Sequence, residues 1–503
     1  MTTEDTSNCY VTMEFTELCS SSTTPLLSND SKFIIHTDKN KLLITNIHTL
    51  QLQQSLTHVT SLSQCTIQWS SCSQYISIYN TISNTVTIYG LYDQLQCNIT
   101  ATQPIQSVQF IPHTTHIQLT CELICTLYNY SMKQQIVMKN YKFIEYTSDG
   151  KYILVCSRSA TDLKDAITLY STSSYDIIQQ YPLNTIDCQR IVLSQSNLYY
   201  MAIDAIQYPT VYVYTLLGDI VYQHTFSIEL QLYIVSTSST TNWSINDRYL
   251  LITLYNQQLL VVDTMTWSNM PILDCGVNAL HSMTNNNNSQ CTVYNEIYCS
   301  NDSTAEFCSD YVNDENSELN ITTQSIRSTK STSKPNIGRP STAAIKQLTE
   351  ATRYTLITQY SFNKYIKDNE PNNDTDTLQH NITNVIWSYD NQYIAVLNQQ
   401  LPNTALIYSI NRLQLHSVIQ HINPIKSIQF ISNTSNQLCT LCKQANKLYM
   451  WSVGGCSVVD MSGINMSTRS IQWCSDGMNA VISDGKNKYT VAHISNTQHV
   501  TSD

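Results

Sequence analysis

Glycine is scarce in this chain, ten among 503 residues, and that scarcity already removes several chemistries. None of the ten sits in a Gly-x-Ser-x-Gly elbow, the turn that exposes a hydrolase serine. No glycine-rich loop ends in Gly-Lys-Ser/Thr, so no phosphate cradle is spelled, and there is no His-Glu-x-x-His pair for zinc. Charged side chains are equally few, 13% against the usual quarter, with Asn, Gln, Ser, Thr, Tyr and Ile in their place. The net charge of -11 argues against nucleic acid as the main partner, because phosphate binding needs a basic face. No run approaches eighteen apolar residues, which argues against a membrane span. The opening Met1-Thr2-Thr3-Glu4-Asp5 lacks a basic and then apolar leader. The seventeen cysteines are therefore expected to be reduced thiols packed as small hydrophobes. Asn-x-Ser/Thr triplets such as Asn98-Ile99-Thr100 carry no weight in a chain so rich in those residues.

What the chain does have is a repeat. An apolar pair and an aromatic are followed by a polar turn and then by an aromatic-led apolar run. Ile67-Gln68-Trp69 precedes Ser70-Ser71-Cys72-Ser73 and Tyr75-Ile76-Ser77-Ile78. Ile144-Glu145-Tyr146, Val385-Ile386-Trp387 and Ile471-Gln472-Trp473 are followed in the same way. The residues closing the first strand of each unit are Trp69, Phe110, Tyr146, Leu193, Trp243, Trp387, Phe430 and Trp473, at gaps of 41, 36, 47, 50, 144, 43 and 43. Ser28-Asn29-Asp30-Ser31 before Phe33-Ile34-Ile35 adds one unit upstream. A third alternating strand recurs as Val86 to Tyr89, Ile167 to Tyr170, Val211 to Tyr214, Ala405 to Tyr408 and Leu448 to Trp451. A period near forty residues built of short strands predicts an all-β, WD-type β-propeller of about nine blades. One closed ring is expected because an incomplete ring leaves strand edges bare; the alternative is a seven-bladed ring with partial blades or a second propeller.

The gap of 144 marks an insertion. Blades one to six are assigned to 1–280, a low-complexity and largely disordered insertion to 281–380, and blades seven to nine to 381–495. The insertion has an acidic half, Asp302 to Glu318, and a basic Ser/Thr half at 327–346 (Arg327, Lys330, Lys334, Arg339, Lys346). That basic stretch, with Pro335 and Pro340, suits acidic tubulin tails or phosphorylation, although a solvated linker is the simpler reading. Tyr354-Thr355-Leu356-Ile357 is a short strand able to dock on the ring.

No catalytic, cofactor or metal residue is assigned, and an enzyme is not expected. Cys439 and Cys442 have metal-like spacing, yet in a second strand residues three apart face opposite ways. His113 and His116 read as an exposed pair in the turn of blade three. Trp69, Trp243, Trp387 and Trp473 read as core, given their fixed place in the repeat.

The C-terminal third resembles the WD-repeat proteins of the centrosome and spindle pole, the family of WD repeat-containing protein eight, also encoded antisense to the p-fifty-three gene. The resemblance is carried by Leu401-Pro402-Asn403-Thr404-Ala405, Arg412-Leu413-Gln414-Leu415, Pro424-Ile425-Lys426-Ser427-Ile428-Gln429-Phe430 and Leu448-Tyr449-Met450-Trp451-Ser452 before Gly454-Gly455-Cys456. Asn46-Ile47-His48-Thr49-Leu50-Gln51 and the stretch from Ser61 to Trp69 fit in order, and the insertion after Met265-Thr266-Trp267 falls where the family has its own. The Asp-Gly turns and Trp-Asp dipeptides of the repeat are mostly eroded. The resemblance implies a non-catalytic scaffold in the cytoplasmic cytoskeleton, at the centrosome, basal body or spindle pole. It implies a coiled-coil anchoring protein and a minus-end-directed kinesin as partners, and roles in microtubule anchoring, spindle organisation and cilium assembly. Rival readings are an adaptor for a ubiquitin ligase or vesicle coat, and a translation or RNA-processing scaffold.

Overall fold

The computed structural model describes residues 10–57, 62, 65–204, 210–226, 243–280, 291–298, 352–356 and 382–497, with breaks of one to three residues inside these spans. The basic stretch 327–346 and most of the expected insertion lie outside the described residues. The described strands form nine blades, six of them four-stranded antiparallel meanders in chain order. The residues that close the first strands in the sequence do so in the structure: strands end at Trp69, Phe110, Tyr146, Leu193, Trp387, Phe430 and Trp473. In blade six the described part of that strand is the single bridge of Trp243 to Leu250.

The blades fall into two compact units. Leu26–Asp274 holds blades one to six, and Met1–Pro25 with Cys275–Asp503 holds blades seven to nine. Blade nine takes its outer strand from the other end of the chain, Tyr10–Phe15 pairing antiparallel with Lys488–Thr497. Blade seven is six-stranded. Thr292–Tyr298 runs parallel to its outer strand Gln414–Gln420, and Thr352–Leu356 pairs antiparallel with Thr292–Tyr298. Tyr354, Thr355 and Leu356, expected to form a docked strand, therefore lie in one.

Period-two alternation builds the cores. Successive side chains of a strand point to opposite faces, so each inner strand feeds two hydrophobic layers. Met201 and Ile203 pack with blade six, whereas Tyr200 and Ala202 between them pack with blade four. Leu448 and Met450 pack towards blade nine; Tyr449 and Trp451 pack towards blade seven. Second and third strands are buried nearly throughout, as Tyr393–Asn398 and Thr404–Ser409 show, and this is why they are apolar, β-branched or aromatic. Fourth strands such as Ile177–Pro182 expose alternate residues and tolerate polar ones.

Candidate interaction surface

The polar turn after each first strand is one device used repeatedly. A Ser or Thr side chain accepts the amide N–H five residues on: Ser28 from Phe33 at 2.9 Å, Ser70 from Tyr75 at 3.0 Å, Thr147 from Tyr152 at 3.0 Å, Ser244 from Tyr249 at 2.9 Å and Ser388 from Tyr393 at 2.9 Å. Three residues after the hydroxyl the backbone turns left-handed, at Ser31, Ser73, Gly150, Asn197, Asp247 and Asn391. Glycine suits that conformation best, and Asn or Asp tolerates it.

The eroded glycines have a structural counterpart here. The side chain at the left-handed position accepts hydrogen bonds from the turn of the preceding blade. Asp30 N donates to Ser73 Oγ at 2.9 Å and Ser148 N to Asn197 Oδ1 at 2.7 Å. Gln195 N and Ser196 N donate to the two carboxylate oxygens of Asp247 at 2.8 and 2.6 Å. In blade four the position is Gly150, where a Cβ would stand 1.8 Å from the Pro112 carbonyl oxygen. First and third turns of a meander lie on one rim, so these blade-to-blade bonds order that rim within the unit that holds blades one to six.

A second polar construction anchors the additional strands of blade seven. Glu296 accepts from the Tyr449 hydroxyl at 2.9 Å and from Ile422 N at 3.0 Å. His421 Nδ1 lies 3.0 Å from the Tyr354 hydroxyl and 3.7 Å from Glu296 Oε2. All four side chains are buried. Burial acts to raise the Glu296 carboxyl, but hydrogen bonds from His421, the Ile422 amide and Thr352 outweigh it and hold it at about 2. Burial keeps His421 below its usual range, against the pull of Glu296.

A third cluster spans blades four and five. Lys142 Nζ donates to the buried Asp165 at 3.1 Å and to Asp187 at 2.6 Å, and Arg158 pairs with Asp187 at 2.5 Å. Every charge in it is matched, which suits structure rather than ligand capture. On the first strand of blade four, Glu145 is half-buried, and burial pushes its carboxyl up to about 7, partly opposed by Arg190.

The residues weighed for chemistry fall as follows. Cys439 and Cys442 lie in the second strand of blade eight with Cys439 in the layer towards blade nine and Cys442 in the layer towards blade seven. They cannot share one ion without unmaking the strand. Burial pushes the Cys439 thiol up to about 12, partly opposed by a hydrogen bond with Trp473. Trp243, Trp387 and Trp473 are buried, and Trp69 is half-buried. The indole N–H of Trp243 donates to Val192 O at 3.2 Å and that of Trp69 to Leu26 O at 3.4 Å, tying each first strand to the previous blade. The expectation for His116 is corrected. Only His113 is exposed in the turn; His116 opens the second strand of blade three, is buried, and has Nε2 3.0 Å from Asn129 Nδ2. The chain returns to extended backbone before residue 116, and the strand's inward face claims the ring.

Among the described residues no group of three or more His, Cys, Asp or Glu could hold a metal ion. No helix of the described residues is long and apolar enough to cross a membrane.

The blades, their turns and the ties between them define a nine-bladed β-propeller of the WD-repeat class. Over 444 residues the chain is 22% identical to WD repeat-containing protein WRAP73 of Mus musculus, covering 87% of this chain and 86% of that protein. No family model matches. Among solved structures, a crystal structure of the eukaryotic initiation factor superposes with a TM-score of 0.50 at 8% identity, covering 86% of this chain and 85% of that one. That likeness shows the fold alone. The C-terminal WD40 domain of Sif2 gives a TM-score of 0.44 at 10% identity over 96% of this chain and 98% of that one.

Proposed function

We propose that this chain is a non-catalytic scaffold of the centrosome or spindle pole. In this reading it assembles a complex that anchors microtubules, organises the mitotic spindle and supports cilium assembly. The observation that carries the reading is the similarity to mouse WRAP73 along nearly the full length of both chains. The centrosomal role itself comes from the family resemblance of the sequence. A coiled-coil anchoring protein and a minus-end-directed kinesin are the proposed partners. Blades tied to their neighbours through ordered turns suit such work, since binding residues commonly lie on loops held by a rigid scaffold.

The test is proximity labelling combined with imaging of the tagged chain in dividing cells. Enrichment at the centrosome, basal body or spindle pole beside a coiled-coil neighbour supports the proposal. A diffuse signal with ribosomal, ligase or coat neighbours overturns it, and would favour an adaptor or translation scaffold instead.

A further inference from the structure

Seven large apolar side chains are exposed where blades four to six present one rim. Ile177 and Ile178 open the fourth strand of blade four, Leu198, Leu217 and Ile220 belong to blade five, and Ile245 and Met265 to turns of blade six. Leu217 is 58% exposed and Met265 77%. Scattered apolar residues on a surface need no explanation, but seven carried by the turns of one ordered rim do. Three ties make this backbone ordered. Gln179 Nε2 donates to Leu217 O at 2.7 Å, Tyr181 OH donates to Leu216 O at 3.0 Å, and Gly218 presses on the Tyr181 ring, where a Cβ would come within 2.7 Å. The Asp247 carboxylate pins the Leu198 turn to the Ile245 turn. Side chains that add little to the core are thus held out on a frame already fixed, which lowers the entropy lost when something binds them.

The charges around these residues are mostly of one sign. The same turns carry Asp149, Asp176, Asp219 and Asp263 against Lys151 and Arg248. Lys151 is engaged with Asp149 at 3.4 Å, and Arg248 lies over the Tyr249 ring at 5.5 Å. Asp176 and Asp219 are exposed with no cation in ion-pair range among the described residues. Apolar anchors ringed by carboxylates complement an apolar stripe flanked by lysine or arginine. We propose that the first-turn and third-turn rim of blades four to six docks a basic amphipathic segment of a partner protein. This deepens the scaffold reading by naming its docking face, and does not depend on where in the cell the chain works.

The test uses the full purified chain and two fluorescent model helices, each with a leucine stripe, one flanked by lysine and the other by glutamate. Polarisation should show the lysine helix binding and the glutamate helix binding at least about tenfold more weakly. The double variant Leu217→Ser, Met265→Ser should lose about tenfold for the lysine helix, whereas Leu163→Ser, an exposed leucine between the second and third strands of blade four, should bind as the unaltered chain does. Asp219→Lys offers a second route, weakening the lysine helix and strengthening the glutamate one. Equal binding of both helices, or lysine-helix binding indifferent to the double variant and to Asp219→Lys, overturns the proposal. Location of the unaltered chain tests the pole assignment separately, so either can fail alone.

Discussion

Tyr449 donates its hydroxyl hydrogen to the Glu296 carboxylate at 2.9 Å, with both side chains buried and 153 residues apart in the chain. The bond joins the third strand of blade eight to a strand delivered by the insertion. Removing one donor from a buried carboxylate leaves a costly unmet acceptor. Tyr449→Phe should therefore lower stability by about 1–2 kcal/mol, and Glu296→Ala by about 3 kcal/mol or more, because the latter also strands the Ile422 amide. Denaturant unfolding measures both, and equal stability of all three chains would remove the anchoring role.

The same pair sets an acid limit. Glu296 has a folded pKa of about 2, below its ordinary value, so its contribution is present above about 4.5 and lost as pH falls towards 2. His421 is also lowered, by burial, so its contribution begins to fall below about 6.5 as the unfolded chain takes up the proton first. The melting temperature should decline in two stages on acidification, and His421→Gln should remove the earlier one.

Glu145 works in the opposite direction. Its folded pKa is raised to about 7, so the folded chain holds the proton more tightly and the contribution is present in acid, then lost as pH rises from about 4.5 through 7. Glu145→Gln should match the parent near pH 4 and exceed it above pH 7 by about 1–2 kcal/mol, allowing for partial exposure. A variant that tracks the parent at every pH would contradict this.

Two glycines make an internal comparison. Gly150 has φ 69° with the Pro112 carbonyl where a Cβ would go, while Gly455 has φ 151° with nothing within 4 Å. Gly150→Ala should cost about 3 kcal/mol or more, Gly455→Ala about 1 kcal/mol. Asp247 adds a third case: at φ 56° Asp247→Gly relieves strain that Asp247→Ala keeps, yet both lose two amide partners. Hydrogen exchange should show Gln195 and Ser196 deprotected in both, with the alanine variant less stable by about 1 kcal/mol.

Alkylation mapped by mass spectrometry checks the thiols. Cys439 and Cys442 should be modified only as the chain unfolds, since burial raises both thiols out of the reactive range. Rapid labelling of either in the folded chain would contradict their placement in the two layers.

Most of the fold could be read before any coordinate because it is local and periodic. Trp69, Trp387 and Trp473 close their strands, Ser70 and Ser388 open their turns, and each follows from residues a few positions away. What escaped was non-local. Nothing near Tyr10 to Phe15 announces a partner at Lys488–Thr497, and nothing near Thr292 announces parallel pairing with Ser417. The sequence does not separate His116 from the turn, because one residue of turn length decides whether a side chain faces water or the core. The apolar rim escaped for another reason: Leu198, Leu217, Ile245 and Met265 look like strand residues until the turns are drawn together. Serine, asparagine and aspartate at the left-handed positions carried a readable signal, since these residues in place of glycine suggest that the side chain has a partner.

Tyr298 stands directly opposite Thr352 in the two strands added to blade seven. The two described strands therefore end and begin at a single rung, so their chain ends lie side by side. Closing a loop across so short a span costs free energy that grows only logarithmically, about 0.6 kcal/mol for each doubling. A reporter joined between Tyr298 and Thr352 would therefore meet the sheet at one rung, which makes this rung a natural port for added sequence.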